Sequence, residues 1–154
     1  IKLSGLTRSH WSQSDIEKAE LAVEFVQLIM NDHNFEEVKA RFGDQVYIQH
    51  NRTIGDGIDG VVQTVSDLVK TFPEFSYDVK QIFVDGEYVI LHSHATLKSK
   101  QRDHDDQGFN IMDTWRVKDG QLIEHWDAVQ GMSLSMRLYA LFTGGKVRNS
   151  NGVF

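Results

Sequence analysis

The spacing of apolar residues changes at one point in this chain. Before Pro73 they recur at helical intervals, and after it they alternate. Ile16, Ala19, Val23, Val26 and Met30 share one face of a helix expected over about residues 14–31. Ser14-Asp15-Ile16-Glu17 has the capping-box form, with Ser14 as its N-cap. Phe35 to Phe42 reads as a short second helix, and Val46 to Gln49 as a brief strand. Gly55-Asp56-Gly57 then breaks the chain. Ile58, Val61, Val65, Leu68, Val69 and Phe72 mark a second long amphipathic helix, which the single proline, Pro73, closes.

Beyond Pro73 the β-branched and aromatic segments 76–84 and 87–98 flank Asp85-Gly86. Segments 109–118 and 121–130 flank Asp119-Gly120. An Asp-Gly between two alternating runs is a strong local signal for a hairpin. Lys98 to Gly108 is a polar link between the hairpins. Ser133 to Phe142 predicts a terminal helix, and Gly144 to Phe154 a polar tail. Helices first and antiparallel strands after them argue for an α+β domain: a curved antiparallel sheet with the N-terminal helices packed on one face. The 154 residues fit one domain, with 1–13 as an arm outside the core and 144–154 as the tail.

The pairing register decides which side chains share a face. With a strict two-residue loop at Asp119-Gly120, both faces of the second hairpin come out mixed. With a three-residue loop and Gly120 in the left-handed conformation, the odd-numbered residues sort together: Ile111, Asp113, Trp115, Val117, Ile123, His125, Asp127 and Val129. That register is the expectation, and it sets Asp113 opposite His125. The first hairpin sorts into an apolar face of Tyr77, Val79, Phe83, Val89, Leu91, Ser93, Ala95 and Leu97. His92 and His94 fall on the other side, at a spacing that could hold a metal but without an evident third ligand. In the first strand Val46, Ile48 and His50 are expected inward, with Tyr47, Gln49 and Asn51 outward.

Two carboxylates and an imidazole among Ile, Val and Trp need an account, because burying unpaired charge costs several kcal/mol per ion. They form either a structural ion-pair network or a catalytic pocket with tuned acidities. Trp115 would pack in the core or stack on a flat ligand. Trp126, on the other face, suits a subunit interface.

Composition narrows the classes. The formal charge is −6 and the basic residues are scattered, which argues against nucleic acid as a partner. With no cysteine, disulfides and thiolate metal sites are excluded. No apolar run reaches the roughly 20 residues of a membrane span. Ile1 to Gln13 reads as too polar for a signal peptide, and the lack of cysteine makes a cytoplasmic location the expectation.

Several stretches together resemble a known family. They are Tyr47-Ile48-Gln49-His50-Asn51, Gly55-Asp56-Gly57, Phe83-Val84-Asp85-Gly86-Glu87, Met112-Asp113-Thr114-Trp115-Arg116-Val117, and Asp119-Gly120 through Glu124-His125-Trp126-Asp127. With the closing Asn149-Ser150-Asn151-Gly152-Val153-Phe154, they resemble the SnoaL-like proteins of the nuclear transport factor 2-like superfamily. The resemblance implies a cone-shaped α+β fold, an open apolar pocket, and often a homodimer packed through the sheet. In the cyclases of that family an aspartate on the last strand is the acid/base of an aldol ring closure. By motif position that residue is Asp127. This chain carries Asp113 where those cyclases carry a histidine.

The expected site therefore has Asp127, Asp113 and His125 as its chemical groups. His50, Asn51, Trp115, Ile111, Ile123, Leu91 and Val129 would line the pocket. The reading assigns no cofactor and no metal. It leaves three roles open: acid/base enzyme on a small apolar carbonyl compound, non-catalytic binder of such a molecule, or structural dimer with a buried ion network.

Overall fold

A computed structural model describes residues 1–143 and Asn151. The expected polar tail otherwise lies outside the described residues. Helix α1 (Gln13–Val26) runs into a five-residue π turn (Gln27–Asn31), and α2 (Phe35–Phe42) follows. Strand β1 (Ile48–Gln49) and helix α3 (Gly57–Thr71) precede the meander of β2 (Ser76–Asp85), β3 (Tyr88–Thr96), β4 (Phe109–Lys118) and β5 (Gln121–Gly131). Helix α4 (Leu134–Thr143) ends the described run. The element order is the expected one.

Helix α1 starts earlier than Ser14. Two serine boxes overlap there, and the upstream one closes. Ser12 Oγ accepts the Asp15 N–H at 3.2 Å, while the Ser12 N–H donates to Asp15 Oδ2 at 2.9 Å. Both orphan donors are thereby met, with a carboxylate in the first turn. Residues 1–13 are not a detached arm. Ile1, Leu3, Leu6 and Trp11 pack against the core, so their apolar area leaves water.

The sheet order is β1-β5-β4-β3-β2. The meander is antiparallel, and β1 adds to its β5 edge in parallel, Gln49 pairing with His125. The helices cover one face. Phe25 of α1 joins the layers, its ring lying 5.1 Å from Phe42, 5.9 Å from Tyr47 and 6.2 Å from Trp115 between centroids.

Two β-bulges set the faces, and both correct the expectation. Residues Asp119 and Gly120 have φ of 50° and 74°, and Lys118 pairs with Gln121, so the loop has two residues. Positive φ at both positions gives the turn whose twist suits a hairpin. The parity change comes later, where Val117 pairs with Leu122 but Arg116 pairs with Glu124. Ile123 is the extra residue. Leu122 therefore enters the core in its place, and beyond the bulge His125 and Asp127 join Asp113 on the inner face. In the first hairpin Lys80 is the extra residue between Val79 and Gln81. Ile82 is fully buried while Phe83 is 43% exposed, the reverse of the alternation expected.

Candidate active site

Each polar side chain of the inner face is placed by the ladder. Asp113 lies opposite Asp127, and Trp115 lies opposite His125. Leu91 flanks Asp113 from β3. Parallel β1 brings Gln49 beside His125 from the far side. Asp113, His125 and Gln49 are buried, and Asp127 is half-buried.

His125 joins two partners. Its Nε2 is 3.2 Å from Asp113 Oδ1, and its Nδ1 is 2.9 Å from Gln49 Oε1. Its ring centroid lies 4.8 Å from that of Trp115 and 6.1 Å from that of Tyr47. The Trp115 indole N–H donates to the Tyr47 hydroxyl at 3.0 Å, so neither polar end is stranded in the core.

Asp127 is held by Asn51. Asn51 Nδ2 lies 2.6 and 2.5 Å from the two carboxylate oxygens. The amide cannot turn round, because its Oδ1 accepts the Thr53 N–H and hydroxyl, both at 2.7 Å. A side-chain carbonyl that closes such a local turn is a common use of asparagine after a strand.

Burial pushes the Asp113 carboxyl above the usual carboxylate range. The hydrogen bond and charge of His125 draw it part of the way back, and the Asp127 charge pushes it up further. Tyr47 and Tyr77 are pushed well above the ordinary phenol value, first by burial and then by both aspartates. They stay protonated donors. Gln49 Nε2, Ser93 Oγ and Asp113 Oδ2 are buried without a protein partner, and such atoms cost about 1–3 kcal/mol each when left unpaired.

Asp113, His125, Asp127, Asn51, Trp115, Ile111 and Leu91 thus gather on the inner side of the sheet. Two expected lining residues do not, and a third, Val129, keeps that side of the ladder but is half-exposed. His50 sits on the outer face, stacked on Trp126 at 4.7 Å with its Nε2 3.0 Å from Glu124 Oε1. Strand β1 turns Tyr47 and Gln49 inward, leaving Val46 70% and Ile48 36% exposed. Ile123 is the bulge residue, and Val129 is 52% exposed at the far end of β5.

Four inner-face residues were absent from the expected site: Gln49, Tyr47, Tyr77 and Ser93. Alternation puts Tyr77 and Ser93 on the apolar face but assigns them no role. Gln49 carried no signal, because its face depends on a parallel pairing that alternation does not reveal.

A cleft of about 470 Å³ opens beside the π turn and the start of β2, with Asn31, Tyr77, His94 and Arg102 among its walls. Its walls carry many polar side chains, and Tyr77 reaches it from the inner face of the sheet. His92 and His94 lie away from that cluster, with Nε2 atoms 2.7 Å from Asn110 Oδ1 and the Gln107 carbonyl. Among the described residues, one group of three could offer ligand atoms to a cation. Asp113, His125 and Asp127 place one such atom each within 4.8 Å of one another. Those nitrogen and carboxylate donors would suit a divalent ion. In the structure His125 bonds to Asp113, and Asp127 to Asn51.

A mixed sheet with the N-terminal helices packed on one face is the α+β fold that solved NTF2-like structures share. The chain belongs to a particular branch of it: residues 20–138 match the family of SnoaL-like polyketide cyclases. Solved structures share the fold. A presumed polyketide cyclase from Bacillus cereus ATCC 10987 aligns with a TM-score of 0.63 at 20% identity, covering 80% of this chain and 81% of that one. AclR, a presumed hydroxylase from Streptomyces galilaeus, aligns at 0.60 and 21% identity, covering 81% and 86%. An NTF2-like protein of unknown function from Cytophaga hutchinsonii ATCC 33406 aligns at 0.57 and 15%, covering 79% and 94%. No curated protein sequence matches the chain. The differing descriptions of these neighbours fit the rule that a fold hosts many chemistries, and that function must be argued from the site.

Proposed function

We propose that this protein is a cofactor-free acid/base enzyme, of the aldol cyclase or isomerase kind, acting on a small apolar carbonyl compound. Asp127 is the base. It takes the proton from a carbon beside the substrate carbonyl; the electron pair of that C–H bond forms a carbon–carbon double bond, and the carbonyl π pair moves to the oxygen. Asp113, which burial biases toward its neutral form, donates a hydrogen bond to the growing enolate oxygen, with His125 able to resupply the proton. The enolate carbon then attacks a second carbonyl or takes back a proton at another carbon. Asp127 returns its proton, so the cycle closes without an oxidant or a leaving group. The observation that carries this reading is the facing pair itself. Two carboxylates share one interior face, one whose proton affinity burial raises and one aimed by an asparagine. Environments that push two neighbouring acids apart are how such sites divide the labour.

The test is hydrogen–deuterium exchange at the α-carbon of a panel of apolar ketones and diketones in heavy water, read by NMR. The wild-type protein should exchange at least one chemical class, and Asp127→Asn should slow it by about 10²–10⁴-fold. A folded Asp127→Asn variant exchanging at the wild-type rate would end the proposal. Dialysis against a chelator should leave the rate unchanged.

The same reading includes a homodimer packed through the outer face of the sheet. Phe83 and Tyr88, each 43% exposed there, and the His50–Trp126 stack support it. Sedimentation equilibrium, with Tyr88→Glu as the variant that should dissociate, tests that part.

A further inference from the structure

We infer that Gln49 decides which nitrogen of His125 carries the fixed proton, and so reserves the other nitrogen for exchange with Asp113. Its functional meaning rests on the acid/base reading above, but the hydrogen-bond pattern does not.

The backbone N–H of Asn51 can only donate. It points at the Gln49 side chain over 2.9 Å, so the atom it meets must be the carbonyl oxygen. That orients the amide without reference to His125. The same oxygen lies 2.9 Å from His125 Nδ1. An amide oxygen offers no hydrogen, so Nδ1 must supply one. With Nδ1 committed, Nε2 is the ring position free to gain or lose a proton, and it faces Asp113 Oδ1 at 3.2 Å. One proton is then shared along the Nε2–Oδ1 line. The ring's other neighbours, Trp115 and Tyr47, already bond to each other, and Asp127 is occupied by Asn51.

The lever is itself anchored. The Gln49 N–H donates to Asp56 Oδ1 at 2.8 Å, and its carbonyl accepts from Asn151 Nδ2 at 3.1 Å. Asp56 stands at the N-cap of α3 but spends Oδ1 on this strand and on Asn151 rather than on its own helix. The residue that positions His125 is therefore held at both main-chain groups, and its side chain is fully buried. Locked supporting groups of this kind keep a reacting side chain in geometry.

The test is long-range ¹H–¹⁵N correlation NMR of the histidine rings in the whole protein. The seven histidines are sorted with His125→Asn as the assignment control. In the folded wild type, His125 Nδ1 should keep the shift of a protonated ring nitrogen. Gln49→Leu should move the ring toward the Nε2–H form, which then donates to Asp113. Gln49→Glu keeps an acceptor at the same place and should retain the wild-type form. On the exchange assay, Gln49→Leu should lower kcat by about tenfold or more with KM little changed, as misorientation does. An unprotonated Nδ1 in the wild type, or the same ring form in folded Gln49→Leu, would overturn the inference. Should Gln49→Leu fail to fold, the wild-type and Gln49→Glu spectra decide alone. A protonated Nδ1 in a protein that exchanges no substrate supports the role of Gln49 while removing the catalytic reading, so the two failures stay distinct.

Discussion

Asp113 faces Asp127 directly across the β4–β5 ladder, and His125 reaches Asp113 from the next inward position, opposite Trp115. Two carboxylates so placed cannot both be charged without cost, and the more buried of the two yields. The fold therefore holds the Asp113 proton more tightly than the unfolded chain does. Below the ordinary value of 3.8 both states are protonated, and this group's contribution is complete. As the pH rises the unfolded chain ionises first, and stability falls until the folded Asp113 ionises too.

Asp113→Asn removes that slope. The unfolding free energy of the variant relative to wild type, measured by urea titration, should rise as the pH climbs above the ordinary carboxylate value of 3.8, until the folded Asp113 has ionised as well. A difference that stays flat over that range would mean Asp113 is not held protonated.

The Trp115–Tyr47 bond links two rings packed near His125 and calls for a double-mutant cycle. Trp115→Phe strands the Tyr47 hydroxyl, and Tyr47→Phe strands the indole N–H, in a region where both side chains are almost fully buried. Each single change should cost about 1–3 kcal/mol, and the double should cost clearly less than their sum. Additive losses would show that the bond contributes little.

Much of this was legible from residue order. Apolar spacing located the helices and both hairpins, because amphipathic periods of 3.6 and 2 are strong in this chain. Asp113, His125 and Asp127 were found as polar intrusions on an apolar face. The route to that grouping was not legible. The loop at Asp119-Gly120 has two residues, and the parity is restored by a bulge at Ile123, a one-residue slip that leaves no mark in composition. Lys80 does the same for β2, which is why Ile82 rather than Phe83 is inside. His50 and Gln49 changed places because β1 takes its orientation from a parallel partner some 75 residues away, and not from its own alternation.

Two glycines with similar φ should respond differently to alanine. Gly120, at φ 74°, has open space where a Cβ would stand, so only the backbone preference is lost. Gly120→Ala should cost roughly 1–2 kcal/mol. Gly108, at φ 76°, would put its Cβ 2.3 Å from the Ala95 carbonyl oxygen, a backbone atom that cannot swing away. Gly108→Ala should therefore lower the thermal midpoint by several degrees more than Gly120→Ala. Equal midpoints would contradict the close approach of the β3–β4 link to β3.

Asn51 gives the sharpest test of how Asp127 is aimed. Its amide is oriented by the Thr53 N–H, a main-chain donor that side-chain substitution leaves in place. Asn51→Ala removes both contacts to the carboxylate and lets Asp127 rotate. The exchange kcat should fall by about 10–100-fold with KM little changed. Asn51→Asp keeps the turn but sets a second carboxylate against Asp127, and should be at least as harmful. Thr53→Ala loses only the hydroxyl contact, so it should stay within about twofold of wild type. Should Thr53→Ala match the loss of Asn51→Ala, the turn as a whole matters and the aiming of Asp127 does not. Should Asn51→Ala retain full kcat, Asp127 needs no such support, and the proposed base must be sought in Asp113.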